Sequence, residues 1–215
     1  MPPEPLILAF DTSAAHCAAA VLSGDRIVAS RHEDMDKGQA ERLMPMLEEC
    51  LNAAGAGWAD LTAIAVGTGP GNFTGVRLSV AAARGLALAL GIPAHGVTLF
   101  EALALGQPRP CLVALDARLG RLYFQAFRPG PEAPGQATSL ADLPDFAGLP
   151  VAGDMAAAVA ARTGAPVLAP LMPPVEAMAR LALACGTAPA ARPAPLYLRP
   201  ADAAPPREAP PAILR

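Results

Sequence analysis

The sequence predicts an α/β protein made of two related units, and three observations predict it. The first is a strand, glycine loop and helix in succession. An apolar run at 62–66 leads into Gly67-Thr68-Gly69-Pro70-Gly71-Asn72-Phe73-Thr74-Gly75-Val76-Arg77, and a long apolar helix pattern follows to Leu90. The second is a set of three short apolar runs ahead of it, at 6–11, 16–22 and 26–32. The third is a restart near Cys111, where two strand patterns, a short strand and two helices follow.

Taken in order, Leu6 to Asp11 is a strand that ends in an acid and two hydroxyls, Thr12 and Ser13. The next two runs are joined by Ser23-Gly24-Asp25, a tight-turn sequence, so the three form an antiparallel meander. A helix from about Gln39 to Ala54 carries Leu43, Leu47, Cys50, Leu51 and Ala54 on one stripe. Pro45 removes a backbone donor inside it, which predicts a kink. The strand at 62–67 and a helix over 75–90 complete a β-β-β-α-β-α unit. The second unit has strands at 111–115 and 122–127, a Pro/Gly-rich loop at 129–136 and a short strand at 150–152. Gly153-Asp154 then opens an alanine-rich helix over 155–162, and another helix covers 175–185. The expected division is 1–107 for the first unit and 108–200 for a smaller second unit. Residues 201–215 read as a proline-rich tail, disordered by composition.

At 215 residues the chain can bury a sizeable core. The hydrophobic fraction of 53% is inflated by alanine, so it carries little functional weight. A net charge of −3 argues against an autonomous nucleic-acid binder, which normally shows a basic footprint. The most apolar long stretch, 78–94, is interrupted by Arg84, and the N-terminus lacks a basic leader segment. These features predict a soluble, cytoplasmic protein. Cys17, Cys50, Cys111 and Cys185 form no CxxC pair, and three of them sit in apolar patterns as small buried hydrophobes. His16, His32 and His95 have no ligand spacing, so no metal site is expected.

A glycine-rich turn ahead of a helix brings backbone N–H groups and the positive helix end toward an anion. This loop lacks the P-loop lysine, and its third glycine falls at the wrong step for a dinucleotide fingerprint. Candidate nucleotide or phosphate contacts are Asp11, Thr12 and Ser13, then Gly69 and Gly71, and across the cleft Gly153 and Asp154. The helix at 75–90 is apolar nearly all round, which requires cover on nearly all sides. Its small residues would let another helix approach closely. The candidate partner face combines Leu43, Met46, Leu47 and Cys50 with Arg77, Val80, Ala82, Arg84 and Ala89. Arg77 lies in the first helical turn, where a cation opposes the helix dipole, so an acidic partner is expected for it, either within this chain or across an interface.

Several segments occur together in one known family, in the same order: Leu8-Ala-Phe-Asp-Thr-Ser13, Leu43-Met-Pro-Met-Leu47 and Gly69 to Arg77. Asp116-Ala-Arg118 ahead of Tyr123, and Tyr197-Leu-Arg199, complete the series. The chain resembles the TsaB (YeaZ) family, accessory subunits of the bacterial machinery that makes threonylcarbamoyladenosine in tRNA. The resemblance covers nearly the whole chain. It implies a fold like actin, sugar kinases and Hsp70, with a cleft between two units of which the second is degenerate. It also implies a subunit without activity of its own that binds and activates the catalytic paralogue TsaD. That paralogue transfers a threonylcarbamoyl group to the tRNA adenosine next to the anticodon, alongside the companion ATPase TsaE. The implied protein meets tRNA only through the complex and self-associates as a homodimer without its partner. It holds no tightly bound cofactor, though ATP or ADP has a place at the subunit interface.

The paralogue carries a metal-binding HxxxH where this chain has Thr98 and Ala102, and Ala14-Ala15 stand where the paralogue has a second acid. Histidines four apart share a helix face and can hold one ion, whereas threonine and alanine cannot replace them. An alternative reading is a stand-alone ATP-dependent phosphotransferase of the same fold, with Asp11 and Asp154 as its cleft carboxylates. A metalloprotease, the third reading, lacks a ligand cluster.

Overall fold

A computed structural model describes residues 4–146, 148–186 and 191–198. The first sheet contains β1 (Leu6–Asp11), β2 (His16–Ser23), β3 (Arg26–Asp34), β4 (Ala63–Gly67) and β5 (Ala94–Val97). Its spatial order is β3-β2-β1-β4-β5, with the meander antiparallel and β1, β4 and β5 parallel. β1 and β4 are apolar almost throughout because helices cover both faces of the sheet. The helices α1 (Gln39–Ala53) and α2 (Phe73–Leu90) pack on one face, around Leu8, Phe10, Leu47 and Ile64. α1 runs unbroken through Pro45.

The second sheet repeats this plan in reduced form. β6 (Cys111–Asp116), β7 (Arg121–Phe127), β8 (Gln136–Ser139) and β9 (Val151–Ala152) lie in the order β8-β7-β6-β9. A single parallel bridge from Val151 to Val167 stands where the fifth strand of the first sheet would be. α4 (Ala156–Thr163) follows β9 as α2 follows β4. No helix corresponding to α1 occurs between β8 and β9 among the described residues. This is the actin/sugar kinase/Hsp70-like α/β fold with a degenerate second unit.

The two units exchange their last helices. α5 (Pro174–Cys185), late in the chain, buries Val175, Met178, Ala179 and Ala182 against Ile7, Ala9, Ala20 and Ala65 of the first sheet. α3 (Leu99–Ala104), early in the chain, buries Phe100 and Ala104 against Cys111, Val113 and Phe127 of the second. The sequence division at 107/108 therefore places α5 with the second unit, although its packing partner is the first sheet. The tail at 201–215 lies outside the described residues.

α2 is long and apolar enough to cross a membrane on length and composition alone. In this fold it is a layer helix: Gly75, Val76, Ser79, Val80 and Ala83 are buried, and two arginines lie on the opposite side.

Candidate functional site

A cleft of about 830 Å³ opens between the two sheets. Its walls come from the β1–β2 turn (Ser13 to Ala15), the glycine loop with Phe73, the β6–β7 turn (Asp116 to Leu119), Asp154, and the segment Leu196 to Leu198. The residues that line it are engaged mainly with one another.

Asp11 is buried at the end of β1 and faces its own turn. Its carboxylate accepts the Ser13 N–H at 3.2 Å, the Ser13 hydroxyl at 2.8 Å and the His16 Nε2–H at 2.9 Å. The hydroxyl of Thr12 donates to the Gly75 carbonyl at 2.7 Å. Of the three hairpin candidates, only Ser13 lines the cleft.

The glycine loop has a different physical reason from the anion cradle expected of it. A Cβ on Gly71 would collide with the Ser13 carbonyl, and one on Gly75 with the Thr12 carbonyl. Gly67 likewise makes room for the Asp11 carboxylate. These glycines press the start of α2 against the β1–β2 turn, and Asn72 N–H donates to the Ser13 carbonyl across that seam. Asn72 is the N-cap: its Oδ1 accepts from Thr74 and Gly75 N–H at 2.9 and 3.2 Å. The donors that would face an anion are thus held by a side chain of the same loop. Gly71 touches the cleft, whereas Gly69 does not line it.

The Gly153-Asp154 turn repeats the pattern. Gly153 has φ +105°, and a Cβ there would strike the Ala114 carbonyl. Asp154 Oδ1 accepts the Asp116 N–H at 2.9 Å, which ties the start of α4 to the end of β6. Partial desolvation at the cleft floor raises the Asp154 carboxyl above the ordinary range. Backbone hydrogen bonds from Asp116 and Met155 oppose this, and the Asp116 carboxylate adds to it. In the β6–β7 turn, Asp116 Oδ1 caps the Arg118 N–H, and Arg118 and Leu119 both have positive φ, 61° and 52°.

Thr98 and Ala102 have structural roles. Thr98 caps α3 in a reciprocal box: its Oγ1 accepts the Glu101 N–H, and Glu101 accepts from the Thr98 N–H and hydroxyl. Ala102 is buried under α5. Among the described residues no group of three His, Cys, Asp or Glu side chains could hold a metal ion. Cys17, Cys50 and Cys111 are buried and Cys185 is exposed. Burial pushes the Cys17 thiol up to about 11.

The predicted partner face needs correction. Leu43, Met46, Leu47, Cys50 and Val80 are buried in the chain's own core, so they face the sheet and cannot meet a partner. Ala82 packs against the same core and is half-buried. Arg77, Arg84 and Ala89 are exposed, joined on the outer side of α2 by Ala81, Gly85 and Leu88, the last 84% exposed. On α1 the outer side carries Arg42, which is clamped between Glu33 and Glu49 at 2.6–2.8 Å. Hydrogen bonds from Arg42 hold both carboxyls below their ordinary range.

Among the described residues, Arg77 is held by aromatic side chains and has no acidic partner. Its guanidinium lies 3.6 Å from the centre of the Phe73 ring, and its Nε donates to the Tyr197 hydroxyl at 2.7 Å. Tyr197 lies in the segment 191–198, which forms no helix or strand. Residues 193–198 cross the start of α2: Leu196 N–H donates to the Thr68 carbonyl at 2.8 Å, and Arg84 Nε donates to the Pro193 carbonyl at 2.7 Å. Leu196 and Leu198 pack on the core of the second sheet, so this strap touches both units. An apolar patch in a proline-rich stretch was the available signal.

A family model described as "TsaD: tRNA N6-adenosine threonylcarbamoyltransferase" matches residues 27–188. The Escherichia coli protein named tRNA threonylcarbamoyladenosine biosynthesis protein TsaB is 36% identical over 127 residues, 57% of this chain and 54% of that one. The matched part thus spans about half the length of that relative. An uncharacterized Mycobacterium tuberculosis protein is 36% identical over 203 residues, 93% of this chain and 94% of its own. YeaZ from Pseudomonas aeruginosa superposes with a TM-score of 0.71 at 28% identity, covering 90% of this chain and 100% of that structure.

Proposed function

Because the chain belongs to the family defined by TsaD, in its TsaB (YeaZ) branch, we propose that it is an accessory subunit in tRNA threonylcarbamoyladenosine synthesis. It binds the catalytic paralogue TsaD and activates the transfer of a threonylcarbamoyl group to the tRNA adenosine. TsaE acts as the companion ATPase, and the complex works in the cytoplasm. One observation carries the reading: the carboxylates and the α2 start at and beside the cleft are engaged by the chain's own groups. Asp11 is held by Ser13 and His16, Asn72 caps α2, and Asp154 ties α4 to β6. A cleft so occupied supports a scaffold role better than phosphoryl or metal chemistry.

The exposed side of α2 is the proposed contact surface, and a second copy of the chain covers it when the paralogue is absent. Any ATP or ADP belongs to the interface between subunits. Reconstitution tests this. The purified chain alone should transfer no threonylcarbamoyl group to tRNA, and transfer should appear on adding TsaD and TsaE. Robust transfer by the chain alone would overturn the reading. The alternative, a stand-alone phosphotransferase, requires Mg-ATP to bind the isolated chain tightly in calorimetry.

A further inference from the structure

We infer that Arg77 and Arg84 form a pre-set anion fork on the outer side of α2, held by the 193–198 strap to receive two carboxylates of a partner protein. This rests on the accessory-subunit reading above.

Seven residues of helix return a side chain to nearly the same direction, about 10.5 Å further along the axis. Arg77 and Arg84 are so spaced, and they are the only charged side chains on α2. The strap treats them alike. Arg77 Nε donates to the Tyr197 hydroxyl and Arg84 Nε to the Pro193 carbonyl, both at 2.7 Å. Among the described residues, neither arginine's Nη groups have an acceptor. The Phe73 ring lies against the Arg77 guanidinium, with the Tyr197 ring 5.7 Å away, which further restricts the head group. A guanidinium anchored through Nε still presents its Nη1–Nη2 edge, which matches the two oxygens of a carboxylate or phosphate. An arginine fixed before binding also loses less rotamer freedom on contact.

The surroundings favour carboxylates on a protein over phosphates on RNA. Between and beyond the arginines the helix presents Ala81, Gly85 and the exposed Leu88. That is a small, apolar strip on which another helix can lie closely. An RNA surface would instead call for additional cations along the face, and α2 has none. The fitting partner is therefore a helix with two carboxylates about two turns apart, beside small residues.

The test measures the affinity of the full chain for TsaD of the same organism, across a salt series. Arg77→Gln with Arg84→Gln should weaken binding about ten-fold or more and flatten its salt dependence, with the melting temperature unchanged. Lysine at both positions should fail to restore it, because an ammonium cannot make the two-pronged contact. Tyr197→Phe keeps the ring and removes the acceptor, so it should give a smaller loss. Wild-type affinity in the double glutamine variant, with Leu88→Asp abolishing binding, would overturn the fork and leave the subunit reading intact. Wild-type affinity in all these variants would overturn the fork by placing the partner elsewhere. Failure of the wild-type chain to bind TsaD would instead overturn the reading on which the fork rests. Loss of tRNA binding by the double glutamine variant, without loss of TsaD binding, would replace the protein partner with RNA.

Discussion

The two sides of α2 divide the molecule's work. Its inner side is closed: Gly75, Val76, Ser79, Val80 and Ala83 are buried, the start is capped by Asn72, and the Ser79 hydroxyl lies within 3.2–3.4 Å of the Gly67, Gly75 and Val76 carbonyls, one of which accepts its proton. Its outer side is open, with Leu88 exposed and two arginines hydrogen-bonded through Nε to the 193–198 strap. Both sides are made of similar small and apolar residues. Apolar character alone therefore does not separate core from exposed surface; what separates them is whether the chain supplies its own cover.

The contrast can be broken most forcefully at Gly75. Gly75→Ala drives a methyl into the Thr12 carbonyl at the seam between α2 and the β1–β2 turn. It should cost about 3 kcal/mol or more in urea unfolding, as overpacking against fixed backbone does. Asn72→Ala removes the cap and should cost about 1 kcal/mol, with Asn72→Asp retaining most of the stability.

The other helix start offers a pH-dependent comparison. The folded-state pKa of Asp154 is raised, mainly by desolvation, so the fold favours its protonated form. Stability from this group therefore falls as pH rises from the ordinary carboxylate pKa, near 3.8, through the raised value. Asp154→Asn keeps an acceptor for the Asp116 N–H. Its melting temperature relative to wild type should rise between pH 4 and pH 7, and a difference independent of pH would contradict the assignment. The smallest effect is expected on the outer side, where Arg77→Gln should change stability by no more than about 0.5 kcal/mol in the same assay.

Much of this architecture was legible in the chain. The three runs of the meander, the glycine loop and α2 declare themselves through apolar periodicity and turn residues. α3 did not, because six residues give too little period to read; its signal was the Thr98–Glu101 capping box. β8 is a short, partly exposed edge strand, Gln-Ala-Thr-Ser, without alternation. At the candidate site, an apolar stripe on α1 showed that Leu43, Leu47 and Cys50 are covered, but not by what. The Arg77–Tyr197 bond joins residues 120 positions apart, which no local pattern reports.

The central claim, that the outer side of α2 meets a partner, can be read at Leu88. A nitroxide attached at Leu88→Cys, with the exposed Cys185 replaced by serine, should be mobile in the free chain at low concentration. On addition of TsaD its spectrum should broaden to that of an immobilised label. A label that stays mobile while the two proteins co-elute as a complex would contradict the account.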